Sequence, residues 1–127
     1  MKSPHTGLKR IFYAGLYSWK GFAATWIGEA AFRQEVVIFI IILPLAFWLG
    51  ETLVERILLI GVLLIVLIVE LLNSSLETVV DRISEDYHPL SGRAKDQASA
   101  AVFVSFALAL LVWGGFLVTK LSSYWAG

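Results

Sequence analysis

The sequence contains no cysteine among its 127 residues. A disulfide framework and thiolate chemistry, whether catalytic or metal-binding, are therefore excluded for this chain. Lysine and arginine together number ten, as do aspartate and glutamate, so the formal net charge is zero. The overall charge therefore favours neither nucleic acid nor an acidic partner, and we expect no nucleic-acid partner.

Two kinds of motif are also missing. The chain has neither a glycine-rich phosphate loop ending in Gly-Lys-Ser/Thr nor the motif set of protein kinases, which excludes the soluble kinase classes built on them. The first 30 residues contain no basic-then-apolar stretch followed by a small-residue cleavage site. We therefore expect the mature protein to keep its N-terminus.

Charged residues are scarce and apolar residues abundant. Only 16% of the residues are charged and 58% are hydrophobic, whereas an ordinary soluble domain is about a quarter charged and about half apolar. Mean hydropathy is +0.79, and the apolar residues stand in blocks rather than alternating with polar ones. This pattern predicts a single membrane domain over residues 1–127, with an all-α fold.

Three apolar runs mark the predicted membrane-spanning helices. The first, Val36 to Leu49, is shorter than the roughly 20 residues of a span, so its helix should begin near Glu29. The second, Ile57 to Val69, has 13 residues and cannot cross about 30 Å at about 1.5 Å per residue. This places Glu70 near the membrane boundary. The third, Ala98 to Val118, is long enough alone. The predicted transmembrane helices are about 29–49, 54–82 and 95–119.

Lysine and arginine predict the orientation. The N-terminal segment and the loop between the second and third spans contain eight of them: Lys2, Lys9, Arg10, Lys20, Arg33, Arg82, Arg93 and Lys95. The opposite side contains only Arg56 and Lys120. Because cytoplasmic loops carry the excess of these residues, the N-terminus and the second loop should be cytoplasmic, and the C-terminus should lie outside.

Residues 8–27 predict an amphipathic helix before the first span. At 100° per residue, one side carries Leu8, Phe12, Gly15, Trp19, Phe22, Ala23 and Trp26, and the other carries Lys9, Tyr13, Tyr17 and Lys20. Apolar and aromatic residues opposite basic ones are typical of a helix lying in the membrane interface. Such a helix serves as a plain anchor, or it also covers a site at the cytoplasmic surface.

Four polar residues form a stripe on the second span. Glu70, Asn73, Glu77 and Asp81 fall within an arc of about 80° over three turns. Ionisable groups at membrane depth cost at least about 2.5–3.5 kcal/mol on insertion scales, so they indicate function. The alternative is that the carboxylates sit in the headgroup region or hold helices together.

Two further polar clusters should lie at the same cytoplasmic level. The start of the first span carries Glu29, Arg33, Gln34 and Glu35, and Arg93, Lys95 and Asp96 precede the third span. Glu29 and Arg33 are four residues apart and are expected to pair on one helix face. Glu29 and Glu77 suit a hard divalent cation such as Mg²⁺. The side chains of Arg93 and Lys95 could neutralise the charge of a phosphate group.

Together these residues favour phosphoryl transfer. Glu70 is placed to take a proton from a hydroxyl group arriving within the lipid, and Asn73 is placed to orient it. The spacing of these residues alone leaves two other functional classes possible. A small proton-coupled transporter needs its carboxylate near the bilayer midplane, whereas this stripe continues into the cytoplasm. A non-catalytic scaffold explains the spans but not the carboxylates.

Four stretches carry a family resemblance: YSWKG (17–21), EAAFRQE (29–35), VELLNSSLETVVDRI (69–83) and SGRAKDQASAAV (91–102). They resemble the bacterial integral-membrane diacylglycerol kinases of the small proteobacterial type, over nearly the whole chain. The resemblance implies a homotrimer of three-span subunits, each with an N-terminal surface helix, in the inner membrane with a periplasmic C-terminus. It implies transfer of the γ-phosphoryl group of ATP, with Mg²⁺, to diacylglycerol, giving phosphatidic acid.

The resemblance also implies residue roles. Glu70 would be the general base supported by Asn73, and Glu29 and Glu77 would bind the magnesium ion. The nucleotide would contact Arg10, Tyr17, Glu29, Glu77, Asp86, Tyr87, His88, Lys95 and Asp96. The lipid would contact Arg10, Trp19, Ala31, Arg33, Gln34, Glu35, Arg56, Glu70 and Ser99. An undecaprenol kinase, as in Gram-positive relatives, is the alternative within the family.

Overall fold

Four α-helices make up the part of the chain that the structure describes. The computed structural model describes residues 4–126, so Lys2, which contributed to the predicted orientation, lies outside the described residues. The helices are α1 (Gly7–Gly28), α2 (Ala30–Leu49), α3 (Leu53–Ile83) and α4 (Pro89–Ala126). The predicted all-α fold is therefore confirmed.

Three of the helices are long and apolar enough to cross a membrane. They are α2 with 20 residues, α3 with 31 and α4 with 38. At about 1.5 Å per residue, α2 is about 30 Å long and matches the hydrocarbon thickness, while α3 and α4 must extend beyond it. The chain is thus a multi-pass membrane protein. The extra length of α3 carries the polar stripe out of the apolar region.

The connection between α2 and α3 is short and capped on both sides. The Thr52 side chain accepts a hydrogen bond from the Glu55 backbone N–H at 3.2 Å and donates one to the Glu55 carboxylate at 3.0 Å. This pairing satisfies a free donor in the first turn of α3. Because the connection spans only residues 50–52, α2 and α3 run antiparallel.

Two basic side chains close the C-terminal end of α2. Arg56 donates from Nε to the Gly50 carbonyl at 3.0 Å and from Nη2 to the Phe47 carbonyl at 3.3 Å. Lys120, on α4, donates to the Trp48 carbonyl. Terminal helix carbonyls have no partner within the helix, so these bonds supply one and add favourable charge at the negative end of the dipole.

The packed centre of the bundle lies between α3 and α4. Leu59 and Val66 are fully buried there, and Ala109 of α4 packs beside Val66. The indole N–H of Trp113 donates to the Leu59 carbonyl at 2.9 Å. Large apolar side chains on the outer faces of all three spanning helices remain exposed. Those faces are available to lipid or to another subunit.

Gly50 is the tightest glycine in the described chain, and replacing it with alanine should destabilise the bundle. An added Cβ would stand 2.7 Å from Cγ of Arg56 and 3.0 Å from the Ala46 carbonyl oxygen. Overpacking of this kind costs about 1–3 kcal/mol, measurable as loss of helical circular dichroism during denaturation in mixed micelles. Gly15→Ala is the control, since its Cβ would meet nothing within 4 Å. Equal stability of the two variants would contradict the prediction.

Candidate active site

Polar residues gather at one end of the helical bundle. Since the three spanning helices alternate in direction, the start of α2, the end of α3 and the start of α4 lie at the same end. The polar clusters predicted from the sequence fall on these three helix ends. Arg56, a predicted lipid contact, lies far from this end. It precedes Glu70 by 14 positions on α3, a distance of about 21 Å at about 1.5 Å per residue.

Glu29 stands at the break between α1 and α2. Its backbone is extended, with φ −123° and ψ 104°, and its N–H donates to the Thr25 carbonyl at 2.9 Å. This break lets the side chain leave the axis of both helices and reach α3. There Oε1 of Glu29 accepts a hydrogen bond from the Ser74 hydroxyl at 3.4 Å. Glu29 is therefore joined to the helix that carries Glu77.

The expected ion pair between Glu29 and Arg33 does not form. Arg33 instead donates from Nη1 to the carbonyls of Trp26 and Ile27, at 2.6 and 3.0 Å. The prediction was wrong because it placed both residues inside one helix, whereas Glu29 precedes the first turn of α2 in an extended conformation. Arg33 supplies donors to the free carbonyls at the end of α1.

The polar stripe on α3 meets different partners along its length. The Asn73 amide donates to Oε1 of Glu77 at 3.5 Å, so these two residues share a face as predicted. Asp81 forms an ion pair with Lys95 of α4 at 3.0 Å. The Glu70 carboxyl lies within hydrogen-bonding distance of the Glu35 carboxyl on α2.

A cleft of about 580 Å³ opens between α1 and α3 beside Glu29. Its polar lining consists of Ser18, Thr25, Glu29, Ser74, Ser75 and Thr78. Of these, only Glu29 was among the predicted site residues. The signal for Ser74 was available, since it lies three residues before Glu77 on a helix and therefore on a neighbouring surface. Its contact with Glu29 depends on the break after α1 and was not predictable from spacing.

The two carboxylates Glu29 and Glu77 fit a magnesium ion that is shared with a phosphate ligand. Mg²⁺ prefers oxygen ligands, keeps several waters, and is bound in kinase sites through one or two carboxylates plus substrate phosphates. The described residues contain no group of three or more His, Cys, Asp or Glu side chains suited to a metal ion. Glu29 is bonded to Ser74, about one turn before Glu77 on α3, and two carboxylates so placed match the shared kind of site.

The loop between α3 and α4 gathers several predicted nucleotide contacts. Asp86, Tyr87, His88 and Lys95 all line a small cavity of about 200 Å³. His88 also has a structural role, because its Nδ1 accepts a hydrogen bond from the Leu90 N–H at 3.1 Å. That bond caps the first turn of α4, where backbone N–H groups lack helical partners.

The remaining predicted residues are spread over other surfaces. Arg10 and Tyr17 lie on α1, which packs against α2 and α3 but makes no contact with α4 over residues 4–126. Neither residue lines the loop cavity. Also exposed are Trp19 on α1, Ala31 and Gln34 on α2, and Asp96 and Ser99 on α4.

The sequence matches a known family over most of its length. The profile of the family described as prokaryotic diacylglycerol kinase matches residues 16–117. The chain belongs to the prokaryotic diacylglycerol kinase family. That range includes every predicted site residue except Arg10.

Several proteins similar to this chain are named diacylglycerol kinase. The diacylglycerol kinase of Escherichia coli (strain K12) is 50% identical over 113 residues, covering 89% of this chain and 93% of that protein. The diacylglycerol kinase of Haemophilus influenzae is 49% identical over 112 residues, covering 88% and 95%. The diacylglycerol kinase of Helicobacter pylori (strain 26695) is 41% identical over 112 residues, covering 88% of each. The family resemblance noted from the motifs is thus confirmed.

Proposed function

We propose that this protein is an ATP-dependent diacylglycerol kinase that forms phosphatidic acid at the cytoplasmic membrane surface. Family membership supports the reaction, since the relatives matched over nearly nine-tenths of the chain are named diacylglycerol kinase. The observation that carries the site is the gathering of Glu29, Glu70 and Glu77 at one end of α2 and α3. Glu29 and Glu77 would bind the magnesium ion of MgATP. Glu70, deeper in the membrane, would face the lipid hydroxyl.

Glu70 is the general base in this proposal. Its carboxylate takes the proton from the free hydroxyl of diacylglycerol as the hydroxyl oxygen attacks the γ-phosphorus of ATP. A new P–O bond forms to the lipid, the bond from the γ-phosphorus to the bridging oxygen breaks, and ADP leaves. A positioned base contributes typically about 10²–10⁴-fold to such a step. Positioning of the reactants and stabilisation of charge in the transition state supply most of the remaining rate enhancement.

Glu29 and Glu77 are the residues we assign to the magnesium ion of MgATP. When bound, the ion neutralises charge on the phosphates and orients them. The Ser74 hydroxyl holds Glu29 and the Asn73 amide holds Glu77. These two α3 side chains therefore orient both carboxylates from one helix. Asn73 acts here on the metal side, in addition to its expected support of the base.

The α3–α4 loop is the proposed place for the nucleotide. Lys95 is paired with Asp81 at its rim and can give its charge to a phosphate oxygen. Asp86, Tyr87 and His88 line the same cavity, and Asp96 follows Lys95 on α4. Arg10 and Tyr17 of α1 are the further nucleotide contacts expected from the family resemblance.

An apolar groove beside α1 supports a lipid substrate. It has a volume of about 550 Å³ and is lined by Trp19, Trp26 and Phe32 among others. We propose that α1 lies as an amphipathic helix in the membrane interface and that an acyl chain occupies this groove. Arg33 and Gln34, at the start of α2, lie at the same level for headgroup contacts.

A homotrimer in the inner membrane completes the proposal. In one chain, Arg10 and Tyr17 do not line the loop cavity, and broad apolar faces of the spans stay exposed. A neighbouring copy would cover such faces and complete the nucleotide site. The distribution of lysine and arginine supports a cytoplasmic N-terminus and a periplasmic C-terminus.

Transfer of labelled phosphate tests this proposal. Purified protein in mixed micelles, supplied with diacylglycerol, Mg²⁺ and ATP labelled at the γ-phosphate, should give labelled phosphatidic acid. ATP labelled at the α-phosphate is the control and should leave the lipid unlabelled. Absence of labelled lipid from folded protein would refute the kinase assignment.

A further inference from the structure

We propose that Glu35 is a positioning residue for Glu70, holding it through a proton-bearing hydrogen bond between α2 and α3. The inference rests on the proposed function, in which Glu70 is the base. It differs from the role implied by the family resemblance, in which Glu35 contacts the lipid. Glu35 would then act on turnover rather than on lipid binding.

The first observation is the contact between the two carboxyl groups. Glu35 and Glu70 lie on neighbouring antiparallel helices with their side chains within hydrogen-bonding distance. Two ionised carboxylates at that separation repel each other, and neither carries a hydrogen to donate. The contact is therefore stable only when the pair holds at least one proton, and a Glu70 that acts as a base requires that it hold just one.

The second observation places the proton. Oε2 of Glu35 is buried and has no hydrogen-bond partner. A buried charged oxygen without a donor costs far more free energy than a buried neutral acid group. The neutral form thus fits Glu35, which donates its hydrogen to Glu70.

The neighbouring charged groups are engaged elsewhere. Arg33, also on α2, donates to the carbonyls of Trp26 and Ile27. Lys95, on α4, is paired with Asp81, and Asn73 donates to Glu77. The ionisable side chain in contact with Glu35 is that of Glu70, on α3.

The geometry gives Glu35 a definite task. By fixing one oxygen of the Glu70 carboxylate, it leaves the other oxygen free to face a lipid hydroxyl. During turnover Glu70 gains the hydroxyl proton and must release it to water before the next cycle, while Glu35 keeps its own. A base displaced by about 1 Å can lose about 10²-fold in rate.

Steady-state kinetics of two Glu35 variants test the proposal. We would measure kcat and the KM for diacylglycerol in mixed micelles for wild type, Glu35→Gln and Glu35→Ala. Glutamine keeps a donor toward Glu70, so Glu35→Gln should retain kcat within about threefold. Alanine removes the donor, so Glu35→Ala should lose kcat by about 10²-fold with KM nearly unchanged. Val37→Ala, an exposed neighbour on α2, is the control for side-chain loss.

The outcomes separate this inference from the proposed function. An active wild type whose Glu35→Ala variant keeps kcat, or raises only the KM, overturns the positioning role and leaves the kinase assignment standing. Loss of activity in a folded Glu35→Gln variant to the level of Glu35→Ala also overturns it, because a donor would then be insufficient. A wild type without diacylglycerol kinase activity overturns both.

Discussion

Replacing Glu70 with glutamine should lower kcat for phosphatidic acid formation by about 10³-fold, within the range typical of a lost general base. Glutamine has nearly the same shape, but it accepts no proton at neutral pH. Its amide can still bond to Glu35, so the packing of α2 against α3 should persist. Initial rates with saturating MgATP and diacylglycerol provide the measurement, and far-ultraviolet circular dichroism confirms that the helices remain.

Glu51→Gln is the matched control for that experiment. Glu51 is an exposed carboxylate in the connection between α2 and α3, at the opposite end of the bundle from Glu70. The same chemical change there should leave kcat unaltered. A Glu70→Gln variant that retained more than about a tenth of wild-type kcat would remove Glu70 from the role of base.

Replacing Glu77 with glutamine should raise the Mg²⁺ concentration needed for half-maximal activity by about tenfold or more. A tenfold change corresponds to about 1.4 kcal/mol, which is near the lower end of what interactions with charged groups contribute, about 1.5–3 kcal/mol. Glu77 supplies one of the two anionic ligands proposed for the ion. A magnesium titration at fixed total ATP gives the measurement.

The control for the magnesium titration is again Glu51→Gln. Glu51 is an exposed carboxylate in the connection between α2 and α3, so this variant removes the same charge at the opposite end of the bundle from the proposed ligands and the loop cavity. Its titration curve should overlay that of wild type. If the Glu77→Gln curve also overlaid wild type, ligation of magnesium by Glu77 would be refuted.

The helices and the local part of the site were predictable from the sequence. Apolar runs and their lengths predicted three spans, because the bilayer requires about 20 apolar residues per helix. The angle between Asn73 and Glu77 on one helix follows from helical geometry alone, and their hydrogen bond is present. Interactions within one helix depend on spacing that the sequence states directly.

Contacts between helices were not predictable in this way. Glu29 meets Ser74 across 45 residues. The predicted helices placed a junction after residue 27, and α1 ends at Gly28, but the extended backbone that turns the Glu29 side chain toward α3 does not follow from residue spacing. The break at Glu29 also brings the end of α1 within reach of Arg33, which donates to the carbonyls of Trp26 and Ile27. Glu35 and Glu70 meet because α2 and α3 pack antiparallel with one particular stagger, which hydropathy does not specify.

The polar stripe divides into parts that the helical wheel could not separate. Glu70 faces α2, where it meets Glu35, whereas Asp81 faces α4, where it pairs with Lys95. An arc of about 80° on one helix is wide enough to meet two neighbouring helices. The wheel predicted a functional face, and the tertiary packing gives each member its own partner.

Arg56 shows how a structural role can account for a polar residue near the membrane. Its guanidinium caps the carbonyls of Gly50 and Phe47. These carbonyls lie at the end of the bundle opposite the candidate site. A lipid contact for Arg56 remains a prediction, and the bonds to α2 explain its presence without one. Lys120 caps Trp48 in the same manner.

Competing lipid alcohols test the diacylglycerol kinase assignment most directly. The measurement is kcat/KM for diacylglycerol and for undecaprenol, made with one preparation of purified protein under the same micellar conditions. We predict a value at least about tenfold higher for diacylglycerol, a preference of about 1.4 kcal/mol or more in transition-state stabilisation. Equal or higher kcat/KM for undecaprenol would contradict the assignment.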